Sequence, residues 1–256
     1  MRDTLEAVAA GDLSPAQAEA ELKGYVTAGN SRFDASRHQR RGIPEAIFGA
    51  GKTPAQVTEI ARTALETTGR ALVTRVTDDQ LAALEAAFAT ESDSNSAAVT
   101  VDQRGTTVLV RASDFEPPSL PVTVGLVTAG TVDGPVADEA QAVLEDAGVT
   151  VDRLEDVGVA ALDRLLDHLD RLREADVLLV FAGREGALPT VVAGLVDTPV
   201  IGVPVSSGYG HGGNGEAALA GMLQSCTVLS VVNIDAGFVA GAQAVLIARA
   251  IAGSPH

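Results

Sequence analysis

VTVGLVTAGTVDGP, residues 122–135, is a continuous apolar run that ends in a glycine-bearing turn, with a proline two residues beyond an aspartate. Unbroken apolarity over seven residues suits a strand covered on both faces, because neither side of it meets water. The pattern predicts a buried strand over Val122–Thr128 and a helix over Pro135–Ala147. Further strands are expected at Thr150–Arg153, Asp176–Phe181, Val200–Val205 and Val228–Asn233. Helices are expected at Ala160–Glu174, Pro189–Val196, Glu216–Gln224 and Val239–Ile251. Strands alternating with helices imply an α/β fold, a doubly wound parallel sheet with right-handed crossovers. Ligands on such sheets sit beyond the carboxyl ends of the strands. Those ends carry TAGTVD (128–133), AGREG (182–186) and SSGYGHGGNG (206–215).

Upstream the pattern is different. Ser14–Pro15 and Thr53–Pro54 are helix starts, with a side-chain oxygen to cap free N–H groups and a proline preset for the first turn. Ala71–Val76 reads as a strand, and Thr77 caps a helix running to Phe88. Ala97–Val101 and Thr106–Arg111 flank a Gly-containing turn, which predicts a hairpin. Ser113–Pro121 holds three prolines and is the expected linker. The reading is a smaller α+β domain over residues 1–118, followed by the doubly wound domain over 119–256.

The formal net charge of −16 over 256 residues repels phosphates and anionic lipid, so neither nucleic acid nor a membrane surface is an expected partner. Lysine occurs only at Lys23 and Lys52, and this acidic, lysine-poor surface fits high salt, where screening weakens self-repulsion, with an ordinary acidic mesophile protein as the alternative. The melting temperature is accordingly expected to rise with KCl concentration, which thermal melts from dilute to molar KCl would check. The first residues lack the charged-then-apolar design of a signal peptide, so a cytoplasmic location is expected. Ala217–Ile234 is uncharged, but Gln224, Ser225, Thr227, Ser230 and Asn233 interrupt it, and it reads as a buried helix and strand rather than a membrane span.

Several residues can carry chemistry. The segment 206–215 holds five glycines in ten residues. Its Ser206, Ser207, Gly208, Gly210, Gly212 and Gly213 are expected to form a backbone cradle for a phosphate or carboxylate, against the alternative of a mobile loop. Asp133 and Glu185 lie just past strand ends, placed to accept a proton or to contact a metal or ribose. The rival roles are a helix cap for Asp133 and an ion pair for Glu185. Arg37, Arg40 and Lys52, with Arg32, His38 and Arg41, form a basic island in an acidic chain, which points to an anionic ligand ahead of the alternative of a solvated face or ion-pair partners. The lone Cys226 excludes an intrachain disulfide and any multi-cysteine metal site. Lone cysteines are commonly buried like small hydrophobes. A helix C-terminus also disfavours a thiolate. Cys226 falls at the amino end of its strand, opposite the loop-bearing edge, so a catalytic Cys226 would serve a site completed by a neighbouring subunit.

FDASRHQRRGIPE (33–45), GAGK (49–52), AGTVDGPVA (129–137), EGALP (185–189), GVPVSSGYG (202–210) and VNIDAGF (232–238) together resemble the LarB family along nearly the whole chain. The C-terminal half is also similar to PurE-type aminoimidazole ribonucleotide carboxylases and mutases. The resemblance implies a carboxylase/hydrolase of nickel-pincer nucleotide synthesis. Its substrate would be nicotinic acid adenine dinucleotide, carboxylated by CO2 at ring carbon 5 and hydrolysed at the phosphoanhydride. AMP and pyridinium-3,5-biscarboxylic acid mononucleotide would be released. It further implies Cys226 as nucleophile, Glu185 as base, Thr131 and Asp133 as substrate contacts, and Mg2+ at the phosphates with Asp133 as a ligand. No organic cofactor is expected, and a homo-oligomer (dimer or octamer) with shared sites is. Val132, Arg184 and Asp163 depart from the family pattern, which has serine, methionine and histidine there. The alternatives are a PurE-type carboxylase or mutase, whose Ala-His-Arg motif this chain lacks, and a non-catalytic nucleotide sensor.

Overall fold

A computed structural model describes residues 1–29, 31–89 and 98–253. The chain divides into two compact units, with the division between Glu116 and Pro117. In the first unit, α1 (Arg2–Ala10) and α2 (Pro15–Lys23) precede a hairpin of β1 (Val26–Ala28) and β2 (Ser31–Phe33). Then come α3 (Arg37–Arg41), β3 (Ala46–Phe48), α4 (Pro54–Thr68), β4 (Arg70–Thr74), α5 (Asp78–Ala89), β5 (Val99–Arg104) and β6 (Thr107–Ala112). Ser14 and Thr53 each accept from the backbone N–H three residues on, while Gln17 and Gln56 reach back, so both expected helix starts are reciprocal capping boxes. The sheet order is β3-β4-β6-β5, parallel only between β3 and β4. All of β4 is buried, and Val57, Ile60, Ala61, Ala64, Leu84 and Phe88 pack with Ala71, Val73, Val108 and Val110 as the core. The expected hairpin is β5–β6; Ala97, placed in its first strand from sequence, lies outside the described residues.

The second unit is the doubly wound sheet: β7 (Leu120–Thr128), α6 (Gly134–Asp146), β8 (Val149–Leu154), α7 (Asp163–Leu166), α8 (Leu169–Glu174), β9 (Val177–Ala182), α9 (Ala187–Ala193), β10 (Val200–Pro204), α10 (Glu216–Leu223), β11 (Ser230–Val231) and α11 (Gly237–Ile251). The order is β11-β10-β9-β7-β8, parallel throughout. From β7 the chain winds first to β8 on one side and then to β9 on the other, so the switch point lies between β7 and β9. Leu178, Val180 and Ala182 alternate onto the face that holds Leu165, Leu172, Leu188, Val192, Ala218 and Met222. The helices α6 and α11 pack on each other and on β7. A Cβ on Gly241 would lie 2.8 Å from the Ala140 carbonyl, so these two helices meet backbone to backbone.

Three sequence expectations need correction. The helix expected over Ala160–Glu174 is a 3-10 turn at Val159–Ala161 followed by two short helices, with His168 outside helical geometry between α7 and α8. Leu165 and Leu172 are buried while Leu162 and Leu166 stay exposed, and so narrow an apolar stripe holds no long helix. Each piece has its own anchor, Arg164 on Asp156 and Arg171 on Asp152. The strand expected over Val228–Asn233 shrinks to the two residues of β11, paired with Ile201 and Gly202 at the sheet edge, with Val228 fully out in solvent. The helix α9 starts two residues before Pro189, since proline is tolerated in a first turn, where its missing N–H is not needed.

Candidate active site

Between the carboxyl ends of β7 and β9 the second unit has a cleft of about 380 Å3. Gly130, Val132, Asp133, Arg164, Arg184, Glu185, Ser207 and Tyr209 line it, among others. Asp133 ends a 3-10 turn that leads into α6 and is 2% exposed. Its Oδ2 accepts from the Gly130 N–H at 2.9 Å, and its Oδ1 accepts from the Ser207 hydroxyl at 3.0 Å. Burial pushes this carboxyl above the ordinary carboxylate range, against the opposing pull of those donors. The side chain makes no cap to α6, so the helix-cap alternative fails in that form. One donor on each oxygen leaves each a lone pair for a cation, so the two bonds orient Asp133 and do not exclude the metal-ligand role expected of it. Among the described residues no three His, Cys, Asp or Glu side chains gather to hold an ion.

The raised pKa has a sign that can be tested. The native state holds this proton more tightly than the unfolded chain, so stability falls as pH rises from the unfolded carboxylate value through the raised one. Asp133→Asn removes that fall, and its melting temperature should gain on wild type as pH is raised from about 4 to about 7. Melting curves of both proteins across that range would check it.

Glu185 is exposed on the cleft wall, and among the described residues its carboxylate has no hydrogen-bond or ion-pair partner. The ion pair with Arg184 that the sequence left open is not made. The Arg184 guanidinium lies over the Tyr209 ring instead, 4.2 Å from its centroid. Glycine fixes the position of Glu185. Gly186 is left-handed at φ 68°, and a Cβ on Gly186 would stand 2.5 Å from the Ala218 carbonyl. The loops after β9 and β10 are also in backbone contact, since a Cβ on Gly208 would lie 2.6 Å from the Arg184 N.

The glycine-rich segment folds on itself: the Asn214 N–H donates to the Gly208 carbonyl and the Gly213 N–H to the Gly210 carbonyl, each at 3.1 Å. The Ser206 N–H donates to Asp235 Oδ1 at 2.8 Å. Ser206 and Gly213 are therefore spent as backbone donors, a correction to the expected cradle. Among the described residues the N–H groups of Ser207, Gly210 and Gly212 have no acceptor, while a tight turn at Ser206–Ser207 brings the Gly208 N–H back toward Val205. Amides left without an internal acceptor can serve an anion. Thr131 is exposed and off the cleft lining, where Val132, 66% exposed, stands instead.

Arg37, Arg40 and Lys52 belong to the first unit. Arg37 pairs with Glu45 at 2.9 Å and Arg40 with Asp34 at 2.6 Å, while the Lys52 ammonium donates to the Phe48 carbonyl at 2.6 Å. Burial raises the Glu45 carboxyl, and the Arg37 charge beside it acts the other way. The two arginines are thus neutralised by carboxylates of their own motif, which the sequence reading weighed below a ligand role.

Cys226 is exposed, contrary to the usual fate of a lone cysteine, and it is not on the lining of the cleft that holds Glu185. It follows α10, and its neighbour Thr227 stands beside Gly194 at the far end of α9. The seven residues of α9 span about 10 Å, which separates that end from the Glu185 end. Leu223 and Val228, on either side of Cys226 in sequence, are exposed apolar side chains. Sequence reasoning missed Arg164 and Tyr209 as lining residues and Asp235 as the anchor of Ser206. The position of Asp235 in VNIDAGF just past β11 was the available signal.

Residues 25–104 match the family described as LarB/PurE-like N-terminal domain, and residues 123–256 match the AIR carboxylase family. An uncharacterized protein of Methanocaldococcus jannaschii is 37% identical over 97% of both chains. N5-carboxyaminoimidazole ribonucleotide mutases of Pyrococcus horikoshii and Thermotoga maritima are 33% and 31% identical over 86 residues, a third of this chain. The match spans about half the length of each mutase.

Proposed function

Because the chain belongs to the LarB family, with an AIR carboxylase domain as its C-terminal half, we propose that it carboxylates the pyridinium ring of nicotinic acid adenine dinucleotide and hydrolyses its phosphoanhydride. The carboxylase class is given by the two domains; the substrate and the hydrolysis are the proposal. The observation that supports it best is the switch-point cleft, whose lining brings the unpartnered Glu185 together with the buried Asp133 and with Ser207.

A pyridinium ring and CO2 are both electrophiles, so they do not combine directly. Addition of the Cys226 thiolate forms a C–S bond and sends a ring electron pair to nitrogen, leaving a neutral, enamine-like ring. Ring carbon 5 then attacks CO2. Glu185 takes the proton from that carbon, and departure of the thiolate returns the ring to a pyridinium. In this reading the unpaired amides of Ser207, Gly210 and Gly212 hold anionic groups of the substrate. Mg2+ would enter as a companion of the diphosphate, with Asp133 the residue to hold it, and no step depends on it. Since Cys226 is off the cleft of its own chain, the reading needs a homo-oligomer in which one subunit's thiol meets another's Glu185. No helix among the described residues is long and apolar enough to cross a membrane.

The test is incubation with nicotinic acid adenine dinucleotide, bicarbonate and Mg2+. Release of AMP together with a dicarboxylated pyridinium supports the proposal. Conversion of N5-carboxyaminoimidazole ribonucleotide in its place would replace it with the mutase reading, which the similarity over 86 residues favours. Tight binding without turnover would replace it with a nucleotide sensor.

A further inference from the structure

We infer that Tyr209 is a platform for a flat cationic ring, and that the Arg184 guanidinium occupies it until such a ligand displaces it. Tyr209 is 78% exposed, an unusual position for a large aromatic side chain unless its faces are used. It lines the cleft described above and also a second cavity of about 310 Å3, formed with Arg184, Glu185, Gly210, His211 and Ala217. The Arg184–Tyr209 stack is therefore the wall shared by the two cavities.

The guanidinium carbon 4.2 Å from the ring centroid is within the range in which the negative face of an aromatic ring attracts a cation. Among the described residues Arg184 has no carboxylate partner, although Glu185 is its neighbour in a chain of net charge −16. Its backbone sits at φ 48°, a left-handed conformation that a long side chain rarely adopts, and the close packing of Gly208 on Arg184 N holds it there. The backbone leading to the ring is anchored too: the Ser206 N–H donates to Asp235, and the Ser207 hydroxyl donates to Asp133 on the wall of the first cavity.

A guanidinium and an N-alkylated pyridinium are alike in being planar, delocalised and weakly hydrated cations. Both suit this ring face, and only one can occupy it. A neutral heterocycle of the same size gains none of the charge attraction. This inference goes beyond the proposed function and rests on it for the choice of a pyridinium nucleotide as ligand. It makes Tyr209 the residue that selects for ring charge.

The experiment titrates the intact protein by calorimetry with oxidised and with reduced nicotinamide mononucleotide, which share a phosphate and ribose and differ in ring charge. Wild type is expected to bind the oxidised form about five-fold more tightly or better. Tyr209→Phe should keep that ratio and Tyr209→Leu should bring it to one. Arg184→Met, which exchanges one non-glycine residue for another at the same φ, should tighten the oxidised form alone by removing the competitor. Equal affinities in wild type, a preference that survives Tyr209→Leu, or a weaker oxidised complex in Arg184→Met would each overturn the inference. Turnover separates the two ideas. A charge-selective protein that yields no dicarboxylated pyridinium removes the proposed function and keeps the platform; a charge-blind protein that yields it does the reverse.

Discussion

Replacement of the one thiol, Cys226→Ala, is expected to reduce ring carboxylation by a factor on the order of 10^4 or more, the scale on which removal of a covalent nucleophile acts. No side chain lining the cleft can substitute for it. Asp133, Glu185 and Ser207 are oxygen groups, of which Asp133 is buried and already bonded through both oxygens. The protein should fold as wild type, because the Cys226 side chain is exposed and supports no core. Carboxylated product measured by mass spectrometry gives the result, and retention of more than a tenth of wild-type activity would refute covalent catalysis. The location of the thiol adds a second readout. If Cys226 of one subunit meets Glu185 of another, Cys226→Ala and Glu185→Ala are each inactive alone, yet mixing and reassembling them should restore activity. Random pairing in a dimer makes half the dimers mixed, each with one intact site, so about one quarter of wild-type activity is expected. A mixture as dead as its components would mean that the two residues act within one chain or not together.

Gly148→Ala is expected to be the most damaging of the small substitutions in the second unit. Gly148 joins α6 to β8 at φ 79°, where an alanine costs about 1 kcal/mol from backbone strain alone. A Cβ there would stand 1.5 Å from the Pro118 carbonyl oxygen, which leaves no room without moving the chain that leads into β7. That chain is held where it is, because the Leu120 N–H donates to the Gly148 carbonyl at 2.9 Å. Separating them opens the first pairing of β7 with β8, and the total cost should reach about 3 kcal/mol or more. A fall of roughly 10 °C in melting temperature corresponds to it. Gly210→Ala provides the comparison. Its φ is 90° and a Cβ would meet nothing within 4 Å, so it should lose only about 1 kcal/mol. Equal losses in the two variants would show that conformation, and not close approach, is what Gly148 supplies.

Much of the second unit was readable from residues 122–135 onward, and the reason is burial. β7, β9 and β10 lie inside the sheet, and strands that touch water on neither face are written as unbroken apolar runs. The capping boxes at Ser14 and Thr53 were readable because a cap is a contact between residues three apart. Where burial is thin, the reading failed. The segment 160–174 has the apolar spacing of one helix, yet its stability depends on neighbours that reach only Leu165 and Leu172, and it breaks at His168. The edge strand β11 and the short β1, β2 and β3 carry too few residues to show a period.

The fold class, the loops at the sheet's carboxyl edge, and Asp133 and Glu185 as candidates just past strand ends follow from the amino-acid sequence, because hydrophobic period and side-chain chemistry are local properties; the candidacy of Cys226 came from the resemblance. How each group stands does not. The tertiary structure decided that Asp133 has both oxygens bonded, that Glu185 is unpartnered, that Arg184 covers Tyr209 and that Cys226 is off the cleft of its own chain. Two of these depend on residues distant in sequence, Asp133 with Ser207 and Arg184 with Tyr209, brought together where β7, β9 and β10 end at one edge of the sheet. A residue's reactivity is set by its solvation and its neighbours, and in this molecule those neighbours come from three different loops.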